Sequence, residues 1–185
     1  MNITDVKTAI KAGDFHLRTD GNPNFISFEP CIDKQTYKSN HGRVYILTSN
    51  GIIKKIGGSK CKGGLKNTIA FYTHSMQGNP GPPRYIIHLL IRDELQKGNN
   101  VECYLIDSEP VESPIHGLFD SNEKQFVTSF SESERRCLED YKKFCGEFPE
   151  WNFQESNTPY PVGYWKQFSD SKIKPKTKVS RKGKK

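Results

Sequence analysis

The chain has 185 residues, 34% of them hydrophobic, and a formal net charge of +7. That length suits one domain with a real core and some extra arms, and no apolar run approaches the roughly 18 residues that span a bilayer. Five scattered cysteines, never spaced as CxxC, argue against a disulfide framework or a zinc site. With no charged-then-apolar leader at the start, they point to a reducing, intracellular (cytoplasmic) protein.

Residues 1–41 are polar, with Gly-Asn-Pro-Asn and Ser/Asn clusters, and read as a helix followed by a loosely structured N-terminal arm. Regular structure begins at Gly42. Residues 43–49 are a β-branched and aromatic run, Asn50-Gly51 is a strong two-residue turn signal, and residues 52–59 answer it, which predicts an antiparallel hairpin. A glycine-punctuated loop over 57–64 leads into a helix over 65–76, where Leu65, Ile69, Tyr72 and Met76 recur at helical spacing. Three prolines and two glycines in 77–83 stop that helix. An amphipathic helix over 84–98 ends at Gly98, a third strand covers 101–107, and 108–130 read as a long connection. Ser131 or Ser133 is placed to cap a helix that ends at Gly146.

Residues 147–171 are rich in aromatics and prolines without clear period; they are expected to cover the core rather than to stack on a ligand. Residues 172–185 read as a disordered basic tail. The order predicts an α+β fold, a small three-stranded antiparallel sheet flanked by helices, with residues 42–146 as its core and arms at both ends.

The charge is segregated along the chain. Residues 172–185 carry eight Lys/Arg and no acid, more than the whole net charge of +7, so the body without its tail is slightly acidic. Yet residues 34–92 hold ten Lys/Arg and not one Asp or Glu. A basic block of that length inside a folded region is an electrostatic footprint for a polyanion. The loop Gly-Gly-Ser-Lys-Cys-Lys-Gly-Gly lacks the spacing of a Walker motif and reads as a contact to a nucleic-acid backbone. Residues 79–85 read as a recognition or dimer loop.

Val44-Tyr45-Ile46 on the first strand and Lys55-Ile56-Gly57 on the second, joined by Asn-Gly and followed by the helices above, resemble the paired motifs of the GIY-YIG nuclease superfamily. The chain is most similar to the short type II restriction endonucleases of that group, some of which carry Lys at the start of the second motif, as Lys55 does here. Residues 134–141, Glu-Arg-Arg-Cys-Leu-Glu-Asp-Tyr, match the helix on which that family keeps a metal-binding Glu, which makes Glu134 its equivalent.

The resemblance implies a hydrolase that cuts double-stranded DNA with one Mg2+ (or Mn2+) held by Glu134. It implies Tyr45 as general base and a homodimer that matches a palindromic site. For Tyr45 to act at neutral pH its phenol must ionise below the ordinary value near 10, and Lys55 is the cation expected to bring that about. Tyr72 matches a position for an aromatic or His near the phosphate.

The chain departs from the family at Thr68, where an Arg should grip the scissile phosphate. Lys66 is the first substitute, Arg84 the second and Arg43 a third. Lys neutralises a phosphate without gripping it bidentately, so the exchange has consequences. The expected catalytic set is Tyr45, Lys55, Lys66, Tyr72 and Glu134. The alternative is a GIY-YIG-like fold that binds DNA or RNA without cutting it.

Overall fold

The computed structural model describes residues 1–39, 42–59, 63–107, 111–115, 123–127 and 130–173. In chain order the elements are β1 (Ile10–Leu17), β2 (Ile26–Pro30), α1 (Lys34–Lys38), β3 (Arg43–Ser49), β4 (Ile52–Ser59), α2 (Gly64–Thr73) and α3 (Pro82–Gln96). There follow β5 (Val101–Ile106), β6 (Val111–Ile115), β7 (Glu123–Val127), α4 (Phe130–Cys145), α5 (Phe153–Ser156) and α6 (Val162–Ile173). β6 and β7 pair as a separate two-stranded ribbon. None of the described helices is long and apolar enough to cross a membrane.

The main sheet has five strands in the order β2-β1-β5-β3-β4, not the three expected, and every pairing in it is antiparallel. The extra pair, β1 and β2, comes from the stretch read as a helix and a loose arm. Its alternation is masked because the register between β1 and β5 shifts at Lys11/Gly13, so Ala12 and Phe15 are buried out of strict phase. Gly13 belongs to the same irregularity: a Cβ there would run into the Glu29 carbonyl and the Phe28 ring on β2. The connection expected over 108–130 contains the β6-β7 ribbon. α4 begins at Phe130, so Ser131 and Ser133 lie inside its first turn and do not cap it. The middle of the loop over 57–64 and the tail beyond residue 173 lie outside the described residues.

Two apolar layers enclose the sheet. On one face Tyr45, Leu47, Val101, Cys103 and Leu105 pack against Leu65, Ile69 and Tyr72 of α2 and Ile86, Ile87 and Leu90 of α3, with Trp151 and Phe153 closing the side. On the other face Val44, Ile46, Ile53 and Ile56 meet Leu138 and Tyr141 of α4. β3 is therefore buried on both sides along its whole length. The aromatic extension does cover core, as expected, and α6 is tied to α3 by Tyr164 Oη donating to Asp93 at 2.8 Å.

β4 is the outer strand, and such an edge needs partners for its free N–H and C=O groups. Residues 150–152 supply them. Trp151 N–H donates to the Lys54 carbonyl at 2.8 Å. The wholly buried Asn152 side chain accepts from Ile56 N–H at 2.9 Å and donates to the Ile56 carbonyl at 2.8 Å. Lys54 Nζ meets Glu150 at 2.6 Å. The chain just before α5 is thus fastened to the strand that carries Lys55.

Candidate active site

A cavity of about 710 Å³ opens where β3, β4, α2, α3, α4 and α5 meet, and its lining includes Tyr45, Lys55, Tyr72, Arg84, Glu134 and Glu155. The hairpin sets its floor. Asn50 and Gly51 both take positive φ, 46° and 77°, giving the tight turn that the Asn-Gly pair favours. Tyr45 then pairs across with Gly57 and Leu47 with Lys55. Side chains two apart on a strand share a face, so Lys55, Gly57 and Tyr45 lie together.

The two glycines of the second motif follow from this register. A Cβ on Gly57 would overlap the Tyr45 phenol, and a Cβ on Gly58 would overlap Oε2 of Glu134, which arrives from α4. The Glu134 carboxylate accepts from the Gly58 backbone N–H. Bare backbone at 57–58 lets two functional side chains reach one cavity.

Tyr72, from α2, meets Tyr45 hydroxyl to hydroxyl at 2.5 Å, with the rings edge to face at 61°. Below them His88 of α3 donates Nδ1–H to the Tyr72 carbonyl at 2.7 Å and is wholly buried. Ser59 and Thr68 share a hydrogen bond of 2.7 Å at the cavity wall.

Burial dominates the electrostatics. It pushes the Tyr72 phenol up to about 12 and Tyr45 well above its ordinary value, the latter helped by Tyr72 and by the negative charge of Glu134. Burial thus outweighs the lowering expected from Lys55, and Tyr45 and Tyr72 form a neutral, hydrogen-bonded couple. Burial also draws Lys55 down, opposed by Glu155 and then Glu134. Glu134 is raised by burial and by Glu155, against the pull of the Gly58 N–H and Lys55.

Of the expected residues, Tyr45, Lys55, Tyr72 and Glu134 come together. Lys66 does not: it is exposed on α2 and off the cavity lining. Arg43 is buried and committed to Asp107 at 2.9 Å and to the Thr36 carbonyl at 2.9 Å. Arg84 does line the cavity. It sits in the first turn of α3, which Pro82 and Pro83 start, and its guanidinium lies 3.7 Å over the exposed Phe71 ring.

Sequence reading passed over Asn152 and Glu155. Both lie in an aromatic and proline-rich stretch with no periodicity to place them, and only the fastening of that stretch to β4 brings them in. Glu134 and Glu155 are the carboxylates of the cavity, and among the described residues no three His, Cys, Asp or Glu side chains gather as a metal cage. One or two carboxylates with room for water is a donor set that suits Mg2+ or Mn2+ and does not suit zinc.

No protein-family model and no curated protein matches the sequence. Among solved structures, a mutant of bacteriophage T4 EndoII is similar, with a TM-score of 0.56 and 17% identity over 82% of this chain and 98% of that one. The restriction endonuclease HPY188I in complex with product DNA has a TM-score of 0.49 and 18% identity, over 80% of this chain and 84% of that one. The first likeness spans nearly all of EndoII, and the chain shares its fold.

Proposed function

We propose that the protein is a divalent-metal-dependent endonuclease of the GIY-YIG type that hydrolyses phosphodiester bonds in double-stranded DNA, and more narrowly a type II restriction enzyme that works as a homodimer. One observation carries the reading. Tyr45, Lys55, Tyr72, Arg84 and Glu134, drawn from five separate elements, line one cavity, and each has a role in moving a phosphoryl group.

A single proton lost from the Tyr45–Tyr72 couple leaves one phenolate, which the other hydroxyl stabilises by hydrogen bonding. That phenolate takes the proton of the attacking water, and the Lys55 ammonium supplies positive charge beside it. Arg84, its planar guanidinium laid over the Phe71 ring, offers a forked set of donors to the scissile phosphate. The first turn of α3 adds the positive end of its helix dipole. Glu134 would hold Mg2+ or Mn2+. When bound, the cation offsets the charge that builds on the phosphoryl oxygens and eases ionisation of the nearby phenol. In this reading Arg84 does the work first given to Lys66, and Lys66 touches the DNA backbone outside the cavity.

Plasmid DNA incubated with the protein and Mg2+ should give discrete fragments, and Tyr45→Phe or Glu134→Ala should abolish them. Persistent cutting by either variant removes that residue from the mechanism. Thr68, at the position of the expected Arg, favours the second reading, a binding module. Salt-sensitive DNA binding with no cutting under Mg2+ or Mn2+ would select it.

A further inference from the structure

Glu155 has no part in the mechanism above, yet it is built into the cavity. It stands on α5, three residues beyond the Asn152 side chain that grips both polar groups of Ile56. The backbone carrying it is therefore anchored beside Lys55, and Phe153 between them is buried in the core. Its Oε2 is enclosed and has no hydrogen-bond partner among the described residues. A buried carboxylate oxygen is costly unless a donor or a cation meets it. Lys55 does not hydrogen-bond to that oxygen and feels Glu155, and then Glu134, only through space. Glu134, on α4, lines the same cavity.

We infer that Glu155 is a second carboxylate ligand of the divalent cation held at Glu134, so that the cation joins α4 to α5 across the edge of the sheet. The inference rests on the metal-dependent reading above. Two carboxylates and several retained waters are an ordinary Mg2+ or Mn2+ environment. The cation would also satisfy the enclosed oxygen.

Binding is best measured apart from cleavage. Mn2+ is titrated into the full chain, into Glu134→Gln and into Glu155→Gln, with free Mn2+ followed by electron paramagnetic resonance and thermal unfolding recorded with and without metal. The expected result is that each variant binds Mn2+ about tenfold more weakly or worse, at least the loss typical of groups that only support a ligand. Metal-free Glu155→Gln should unfold at or above the wild-type temperature, because an unpartnered carboxylate is gone, and Mn2+ should raise its unfolding temperature less. Wild-type Mn2+ affinity in Glu155→Gln, with the loss confined to Glu134→Gln, overturns the inference and leaves the metal-dependent reading standing; Glu155 is then a counter-ion of Lys55. No Mn2+ binding by the wild type overturns both. Should Glu155→Gln unfold early, Glu155→Asp decides: recovered Mn2+ binding supports a ligand role, and none overturns it.

Discussion

At Gly57 and Gly58 the chain passes beneath Tyr45 and Glu134 with no Cβ to spare for either. Neither glycine has a positive φ, so alanine is tolerated by the backbone and the whole cost falls on the side chain it displaces. Gly57→Ala should push the Tyr45 ring aside and Gly58→Ala the Glu134 carboxylate. Each should slow cleavage by about a hundredfold, the scale of an ångström of misplacement, with far-UV circular dichroism unchanged. A wild-type rate in either would mean that the neighbour yields and the close approach is unimportant. Arg84 is the third test at this scale. Arg84→Lys keeps the charge but loses the fork and the stack on Phe71, and should lower kcat by about ten- to a hundredfold, whereas Lys66→Ala should leave kcat nearly unchanged. The opposite ranking would return the phosphate contact to Lys66. Of these residues the hairpin pair was legible in sequence because Asn-Gly fixes the register locally. Arg84 was ambiguous because which cation faces a phosphate depends on how two helices meet, and no local pattern states that.

Between elements, the site depends on contacts that bring distant segments to one strand. Asn152 replaces a missing neighbour for the edge strand β4, and losing its amide strands a buried N–H and a buried carbonyl of Ile56. Asn152→Ala should destabilise the fold by about 2–4 kcal/mol and should raise hydrogen exchange at Ile56 above that elsewhere in the sheet; equal protection there would show that the clamp is redundant. His88 joins α3 to α2 in the same way, and it carries a pH dependence. Burial holds its pKa down at about 4, against 6.5 for an ordinary histidine, despite the hydrogen bond to the Tyr72 carbonyl. Above pH 6.5 folded and unfolded chains both keep it neutral. As pH falls from 6.5 towards 4 only the unfolded chain gains the proton, so stability should drop, by on the order of 3 kcal/mol. Denaturant unfolding across that range should show the fall in the wild type and a flatter profile in His88→Gln. These contacts explain what sequence reading lost. β3, β4, α2 and α3 announce themselves through turns and periodicity, while β1 is hidden by its bulge and the 150–152 clamp has no period at all.

Across the whole molecule, charge and chemistry divide by origin. The ten basic residues of 34–92 include Lys55 and Arg84, and that block brings no acid of its own to the cavity. Both carboxylates come from beyond residue 130, on helices that reach around the edge of β4. Arg43, Lys54 and Arg92 of that block are already paired with Asp107, Glu150 and Asp93; in the proposed reading the rest of it would hold DNA while the two acids of the cavity would hold a cation. The tail adds a second basic segment, and the structure shows where it can be removed: Lys172 still works within α6, bonding Asn79 and the Pro80 carbonyl beside the start of α3, so a truncation should begin at residue 174. Each phosphate neutralised contributes about −0.9 to the slope of log Kobs against log salt. Deleting 174–185 should therefore weaken binding and flatten that slope by several units, while the cut position stays the same because the cavity and its α3 wall are intact. The truncated protein should keep a clear residual slope from the 34–92 block. An unchanged slope would show that the tail does not touch DNA; a slope near zero would show that the folded block does not, and the polyanion face would have to be sought elsewhere on the surface.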